Sequence, residues 1–343
     1  DDALAHPLLR EHPPRLLRAL ARELTEELGY DLFAAITAGE VSGIGYLGEI
    51  TTPAFSPLRY RTHFFRIELR QRPALVVDAE EAAESAWLPA RGWEERFRRG
   101  RLLTAPPTLS VIHWLAAGDT ALPDFDYHVD IETHVPWIEQ ISGLRMLMPR
   151  SNTIPPADRT NCFWLGGEGS PRVLVDPAPG SDAEMERLCA LIDKFGVDEI
   201  FLTHHHPDHR ERANLIARRY NVPMAMSADT YERIAKRVPG YFDDVTVRSC
   251  AEGDVLTEWL GEKVFLYAVP GHDEGQLALM PESRSWCIVS DLIQGIGTVV
   301  VGGPESSMRK YFDSLQRVID WDPAVIIPSH GMALGTTHRL RET

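Results

Sequence analysis

The segment THHHPDH, residues 203–209, constrains this chain more than any other part of its sequence. It ends an apolar, strand-like stretch, and Pro207 is typical of the first position of a helix. Side chains alternate between the two faces of an extended backbone, so His204 and His206 face one way and His205 faces the other. The segment therefore predicts a strand-to-helix turn that concentrates imidazole groups on one side.

Two more donors follow in the same turn. Asp208 and His209 fall in the first turn of the predicted helix and can lean back over the strand end. Imidazole and carboxylate groups together suit zinc and, less specifically, iron or manganese. The alternative interpretation of the segment alone is an exposed polar turn.

Three further donors each follow a strand-like stretch downstream. The stretches AVPGH, CIVSD and VIIPSH deliver His272, Asp291 and His330. Taken singly, each histidine fits an ordinary core or loop position. Because sites in α/β proteins assemble at the carboxyl ends of strands, their occurrence in order favours one site. Seven donors are enough for two metal ions that share one carboxylate, about 3.5–4 Å apart.

The second half of the chain alternates predicted strands and helices, which indicates an α/β fold. The predicted strands are 172–176, 198–204, 222–227, 263–271, 276–280, 285–291 and 324–331. The predicted helices are 182–196, 207–220 and 306–321.

These motifs resemble the metallo-β-lactamase superfamily. HHHPDH matches its HxHxDH signature, and PGH at 270–272, SD at 290–291 and SHG at 329–331 match its later ligand motifs in order. The closer likeness is to the glyoxalase II-like and β-lactamase-like endoribonuclease branches. The resemblance implies an αββα sandwich in the C-terminal part. It also assigns a structural role to Asp176. The sequence departs from the family pattern at residues 210–212, where RER stands in place of Gly-Gly.

The same resemblance implies ligand roles and a reaction. One metal ion would be held by His204, His206 and His272, and the other by Asp208, His209 and His330, with Asp291 bridging the two. Zinc is expected, with iron or manganese as alternatives. The expected nucleophile is a hydroxide held between the two ions, and Asp208 would orient it.

The first half of the chain contains a predicted helix at 13–29, strands at 62–69 and 74–78, a loop into a short strand at 80–88, and a helix at 107–117. An acidic, weakly periodic stretch follows. It predicts a linker at 121–136 between an N-terminal domain, 1–120, and a C-terminal domain, 137–343.

Three glutamates stand out in RELTEELGY, residues 22–30. Glu23, Glu26 and Glu27 have i, i+3 and i+4 spacing, so they share one helical face. A solvated face is one interpretation. The stretch also resembles the end of the Nudix box, whose glutamates hold magnesium, although the upstream part of the box is not matched. This resemblance implies a partial or degenerate N-terminal Nudix-like α/β domain, with Mg²⁺ bound only if that domain is active.

Charge limits the partners that we expect. The chain has 35 Lys+Arg and 50 Asp+Glu, a formal net charge of −15. This balance argues against DNA and against broad nucleic-acid binding, which needs phosphate neutralisation. We expect a metal-dependent hydrolase that cleaves an ester or thioester of a small or carrier-linked substrate, with a coenzyme A-like carrier as one candidate. The alternative is an endoribonuclease that acts on single-stranded RNA.

Cysteine usage and hydropathy limit the compartment. The four cysteines are far apart and form no CxxC pair, which argues against a disulfide framework and favours the cytoplasm. No apolar run approaches the roughly 20 residues of a membrane span. A membrane partner is therefore not expected.

Overall fold

A computed structural model of the chain describes residues 6–53, 55, 59–77, 85–118, 122–123, 130–167 and 169–334. The chain divides into two compact units. The first lies within Asp1–Pro53, Leu58–Glu94 and Pro107–Tyr127, and the second lies within Ala54–Pro57, Glu95–Pro106 and His128–Thr343. The division into 1–120, a linker at 121–136 and 137–343 stays a prediction.

The N-terminal region begins with a 3-10 turn at Pro7–Leu9 and has four helices and an antiparallel strand pair. In chain order these elements are α1 (Pro14–Leu28), α2 (Leu32–Thr37), β1 (Val41–Thr51), β2 (Arg61–Leu69), α3 (Ala90–Arg98) and α4 (Pro106–Ala117). As predicted, α1 ends before Gly29, whose φ of 60° is easy only for glycine. Leu17 of α1 is buried with Leu32, Ile36 and Val41 in the core of the first unit.

Two strand predictions in this region are wrong. Residues 74–77 form no strand, and Asp78 lies outside the described residues. Val76 donates one backbone hydrogen bond, to the carbonyl of Leu28, and its side chain is 75% exposed. An apolar run becomes a strand only when a neighbouring strand pairs with it, and β2 pairs with β1 instead. Residues 85–88 also form no strand, and 80–84 lie outside the described part.

The second unit contains two sheets. The larger one has the order β3 (Trp137–Ile141), β4 (Leu144–Leu147), β5 (Cys162–Gly167), β6 (Ser170–Val175), β7 (Glu199–Phe201), β8 (Met224–Ser227), β9 (Val247–Cys250). The smaller one has the order β10 (Val255–Trp259), β11 (Glu262–Ala268), β12 (Leu277–Pro281), β13 (Cys287–Ser290), β14 (Ile326–Pro328). Strands β3 to β6 are antiparallel and β6 to β9 are parallel, whereas in the smaller sheet only β13 and β14 run parallel.

Five helices complete the second unit. They are α5 (Asp182–Phe195), α6 (Pro207–Arg210), α7 (Ala213–Tyr220), α8 (Ala228–Arg237) and α9 (Met308–Trp321). The prediction of a single helix at 207–220 is wrong, because the helix is interrupted between α6 and α7. Arg212 has a φ of 63°, where glycine is the usual residue, and its guanidinium contacts Asp182 and the carbonyl of Pro179. These contacts hold Arg212 in its strained conformation.

Alternation along the strands builds four layers. In β5, Phe163 and Leu165 point into a core shared with β12 and β13, whereas Cys162 and Trp164 point to a core shared with α5 and α7. The opposite face of the smaller sheet packs against α9, which contributes Val318. Sheets covered on both faces have nearly continuous apolar strands, which explains the apolar runs in the sequence. The layers are helix, sheet, sheet, helix, and the α/β prediction is confirmed.

The four cysteines, Cys162, Cys189, Cys250 and Cys287, are buried and free. In the described part of the chain, we find no helix with the length and apolar character that a membrane crossing requires.

Candidate metal centre

Strand ends bring the predicted donors to one edge of the sandwich. His204 lies three residues after β7, Asp291 directly follows β13, and His330 lies two residues after β14. His272 follows β11 across a Pro-Gly turn. The structure brings all seven predicted donors together in three overlapping groups: His204, His206 and His272; His204, His209 and Asp291; and Asp208, His209 and His330.

The first group is a triangle of ring nitrogens. The Nδ1 atom of His206 lies 2.9 Å from Nε2 of His204 and 3.0 Å from Nε2 of His272. Two ligand atoms that are each about 2.0–2.1 Å from a tetrahedral zinc ion lie about 3.3 Å apart. The three nitrogens therefore stand nearly at ligand spacing.

Asp291, a member of the second group, also lies close to residues of the first and third groups. Oδ1 of Asp291 lies 3.3 Å from Nε2 of His209 and 3.5 Å from Nε2 of His330, and Oδ2 lies 3.6 Å from Nε2 of His272. Oδ2 of Asp208 lies 3.5 Å from Nε2 of His330. The two oxygens of one carboxylate thus face different groups, which is the arrangement a bridging ligand needs.

The opposite ring nitrogen of these histidines is held by the protein. Nδ1 of His272 donates to the carbonyl of Val300 at 2.7 Å, and Nδ1 of His330 donates to that of Arg159 at 3.0 Å. His209 donates from Nδ1 to the carboxylate of Asp176 at 2.9 Å. Because carbonyls and carboxylates only accept, the proton sits on Nδ1 and the lone pair on Nε2 faces the centre.

Asp176 orients more than one partner. Its carboxylate also accepts hydrogen bonds from the backbone N–H of Thr203 at 2.8 Å and from the Thr203 hydroxyl at 2.6 Å. That hydroxyl contacts the Ser290 hydroxyl at 2.7 Å. Asp176 and Ser290 have φ values of 50° and 53°. Residues other than glycine rarely adopt these positive φ angles. Strained backbone of this kind clusters at functional sites.

Two buried atoms make the fit to a cation specific. Nε2 of His209 and Oδ1 of Asp291 are buried and have no hydrogen-bond partner among the described residues. A buried polar atom without a partner costs free energy, and both atoms face the other donors. Imidazole nitrogens and carboxylate oxygens are the donors that zinc takes. These residues therefore fit divalent metal ions.

Electrostatics favours the same occupant. Burial lowers the pKa of His206 to about 4, and the His272 imidazole adds to this effect. Burial also lowers the pKa of His204 well below its usual value. Burial opposes ionisation of Asp291, but His209 and His330 outweigh it and hold the pKa of this carboxyl well below its usual range. Neutral imidazoles at His204 and His206 leave lone pairs for a cation. At His209 burial opposes protonation, but Asp291 and Asp208 outweigh it and raise the pKa, so a cation there would displace a proton from Nε2.

A cleft of about 400 Å³ opens onto the donors. His206, Asp208, His272, Asp291 and His330 form its base. Its walls are formed by Asn152, Thr153, Ile154, Pro155, Ala157, Pro207, Gln294, Gly297, Thr298, Val300, Gly302, Pro304 and Glu305. Within the part of the chain that the structure describes, the lining contains no lysine, no arginine and no Phe, Tyr or Trp. Apart from its histidines, the ionisable side chains of this lining are therefore Asp208, Asp291 and Glu305, all of them acidic.

A fourth group of donors was not predicted. It combines His205 and His206 with Asp273 and Glu305. Nδ1 of His205 lies 2.7 Å from Asp273, and Arg237 donates to Nε2 of His205 at 2.7 Å. A guanidinium cannot accept, so Arg237 takes the position that a cation would need. The acidic residue directly after His272 was the available sequence signal for this cluster.

The glutamates of α1 lie elsewhere and are arranged differently. Glu23, Glu26 and Glu27 are exposed. Arg22 forms a hydrogen bond with Glu23 and an ion pair with Glu26 at 3.7 Å. Among the described residues, the groups whose ligand atoms converge do not include these three glutamates.

The sequence is similar to those of known proteins. The sequence pattern of the metallo-beta-lactamase superfamily matches residues 155–330, just over half of the chain. Hydroxyacylglutathione hydrolase from Nitrosomonas europaea is 27% identical over 165 residues, which cover 48% of this chain and 56% of that protein. The protein of the same name from Dechloromonas aromatica is 29% identical over 163 residues, with 47% and 54% covered. The chain thus spans little more than half the length of these relatives.

Solved structures share the architecture. A beta-lactamase domain protein from Burkholderia ambifaria has a TM-score of 0.52 and 22% identity, and the match covers 60% of this chain and 75% of that one. A metallo-beta-lactamase from Pontibacter korlensis has a TM-score of 0.51 and 16% identity, with 61% and 96% covered. At these identities the likeness shows the fold alone.

Proposed function

Because the chain belongs to the metallo-beta-lactamase superfamily, we propose that its C-terminal part is a metal-dependent hydrolase that cleaves an ester or thioester. The observation that carries this proposal is the pair of donor groups that meet at the carboxylate of Asp291. A protein that used these residues only for packing would not need buried lone pairs to converge.

We propose that the donors are divided between two divalent ions. His204, His206 and His272 would hold one ion, Asp208, His209 and His330 the other, and Asp291 would contact both. Zinc suits this set of nitrogen and carboxylate donors, and iron or manganese would also be accepted. When bound, such ions lower the pKa of water and polarise a carbonyl oxygen.

Asp208 is the proposed catalytic residue of the chain itself. Its side chain is 16% exposed and lines the cleft, so it can touch both a substrate and a water molecule. A carboxylate in that position accepts a hydrogen bond from water, orients it, and can take its proton at Oδ2 during attack. A thiolate leaving group needs no proton donor, which favours thioesters over esters with poor leaving groups.

The cleft walls support a small or carrier-linked acyl substrate. Ile154 and Val300 offer exposed apolar surface, at 69% and 54% exposure, for an acyl group. The two curated relatives are named for hydrolysis of hydroxyacylglutathione, an acyl thioester. The carrier in this chain stays open between glutathione and a coenzyme A-like group.

The test measures metal content and turnover together. Purified protein should carry about two metal ions per chain and hydrolyse a short-chain acyl-coenzyme A thioester or lactoylglutathione. Asp208→Asn should lower kcat at least about a hundred-fold and leave the melting temperature nearly unchanged. Asp313→Asn, on the exposed face of α9, is the matched control and should behave as wild type. Metal-replete protein that cleaves neither thioester contradicts the proposed substrate class.

The alternative function is endoribonuclease action on single-stranded RNA, since a two-metal site also cleaves phosphodiesters. The described cleft lining lacks the cationic and aromatic side chains that bind single strands. We therefore rank RNA second. Cleavage of a single-stranded RNA by wild-type protein, with no thioester turnover, would reverse this order.

We also propose that the N-terminal unit is Nudix-like, on the strength of the element at residues 22–30 alone. Magnesium would bind there only if Glu23 and Glu26 were freed from Arg22. Titration of Mg²⁺ into wild type and a Glu23→Gln variant tests this, with hydrolysis of a nucleoside diphosphate derivative as the readout.

Four free, buried cysteines support the cytoplasm as the compartment.

A further inference from the structure

A second cavity adjoins the metal cleft within the second unit. Its volume is about 330 Å³, near the lower end for small-molecule pockets. Ala157 lines both spaces, so the two are neighbours separated by one stretch of chain. The cavity combines apolar walls with two arginines. Its apolar side chains include Ile131, Met148, Ile296 and Met332.

Arg159 is a buried cation that faces this cavity. The residue is only 8% exposed. Its Nη1 donates to the carbonyl of Met148 at 2.5 Å, and its Nε lies 4.0 Å from the carboxylate of Asp158. The Asp158 side chain is 77% exposed, so it compensates the buried charge weakly. A guanidinium has five N–H donors, and within the described part of the chain these contacts engage only some of them.

A second arginine lies directly opposite. Arg150 and Arg159 form an isolated antiparallel bridge, and like charges placed opposite each other destabilise such a pair. Nearby carboxylates already have other partners. Glu132 contacts Arg150 at 2.9 Å on the exposed side, and Glu184 accepts from the Arg150 backbone and from Arg187. Burial and the neighbouring Arg150 lower the pKa of Arg159, against the effect of Asp158. The side chains that line the cavity therefore carry two positive charges, from Arg150 and Arg159, against the single negative charge of Asp158.

We propose that this cavity is a binding site for a small anion with an apolar body. A carboxylate or phosphate group would lie between the guanidinium groups of Arg159 and Arg150, where charge-assisted bonds are strong. The apolar body would pack against Ile131 and Met148. This site is distinct from the proposed metal centre and does not depend on the proposed reaction.

Arg159 contributes to both sites, through its side chain in the cavity and through its backbone beside the metal donors. The carbonyl of Arg159 accepts the hydrogen bond from Nδ1 of His330. A substitution of Arg159 could therefore disturb the metal donors, and metal content must be measured in every variant used to test the site.

The probes are hexanoate, hexyl phosphate and the neutral hexanamide, titrated calorimetrically into metal-replete protein. The two anions should bind with one-to-one stoichiometry and at least ten times more tightly than the amide. Arg159→Gln should abolish this preference. Arg219→Gln is the matched control, because it removes one charge from a surface pair with Glu186 and should leave binding unchanged.

A second variant protects the test against misfolding of Arg159→Gln. Ile131→Trp fills the cavity, leaves both arginines in place and should weaken anion binding at least ten-fold. Tighter binding of one anion identifies whether carboxylate or phosphate is preferred. Equal affinity for the anions and the amide overturns the proposal. Anion binding that persists in both Arg159→Gln and Ile131→Trp also overturns it and points to the metal ions as the binding site.

Discussion

The candidate metal centre and the acidic face of α1 both concentrate carboxylate or imidazole groups, but among the described residues these groups converge only at the candidate centre. At the candidate centre, donors from four strand ends are buried or, for His206 and Asp208, half-buried, and they face one another across 2.9–3.6 Å. On α1, Glu23 and Glu26 are exposed, and Arg22 partly neutralises both. Helical spacing alone leaves acidic side chains in solvent, where repulsion is screened and no convergence is enforced.

The comparison shows which contacts orient donor groups for metal binding. The donors at the centre are oriented by hydrogen bonds to Asp176, Val300 and the backbone of Arg159. Such partners fix ring orientation and tautomer before a metal ion arrives. In the described structure, the contacts of Glu23 and Glu26 are instead with a neighbouring cation on the same helix. We therefore expect the two regions to respond differently to the same perturbations.

Chelation should separate the two regions most strongly. Removing metal with EDTA is expected to abolish thioester turnover, since two ions would supply the electrophile. It should also lower the melting temperature of the second unit by about 5–10 °C relative to protein with zinc at a hundred times its Kd. Differential scanning calorimetry with and without added zinc measures this. An equal shift in the unfolding of the first unit would break the comparison.

Loss of the shared carboxylate should be nearly as severe. Asp291→Ala removes the carboxylate whose two oxygens face the two donor sets, so metal content should fall to one ion per chain or fewer. Turnover is expected to drop at least about a hundred-fold. Elemental analysis and thioester kinetics on the same preparation check both numbers, with Asp313→Ala as control. A variant that retains two ions would show that Asp291 is not a bridge.

Weakening the support of one ligand should have an intermediate effect. Asp176→Asn keeps the shape but loses the charge that orients His209. A change of this kind typically weakens metal affinity about 10- to 100-fold. Competition with a zinc indicator dye gives the affinity, and Thr203→Val, which removes another contact of Asp176, serves as the comparison. Unchanged zinc affinity in Asp176→Asn would reduce Asp176 to a packing role.

Neutralising the helix face should have the smallest effect. The triple variant Glu23→Gln, Glu26→Gln, Glu27→Gln should leave zinc content and thioester turnover unchanged and shift the melting temperature by about 1 °C or less. Elemental analysis and thermal unfolding test this. A loss of bound Mg²⁺ or of pyrophosphate hydrolysis in the triple variant would instead give the first unit a metal site of its own.

Much of the fold and of the candidate site could be read from local pattern. The helix at α1, its end at Gly29, and most of the strands and helices after residue 172 follow from periodicity and turn residues, whereas α8, β9 and β10 were not predicted. All seven proposed ligands were identified because each follows a strand, and strand ends meet at one edge of an α/β fold. Whether these residues hold metal ions stays a prediction.

Other features depended on contacts between distant residues. The apolar stretch at 74–77 has the composition of a strand but no partner strand, and the helix predicted at 207–220 breaks where Arg212 is held by Asp182 and Pro179. Pairing and strain of this kind are set by residues far away in sequence.

By itself, the sequence determined the chemistry of the donors and the elements that carry them, because both depend on residue type and short-range spacing. Only the tertiary structure decided which groups are buried together. It joined His205 to Asp273 and Arg237, and it set Arg150 opposite Arg159 beside a cavity. The physical reason is that burial removes solvent screening, so charges and lone pairs acquire specific partners only where the packed layers bring them together.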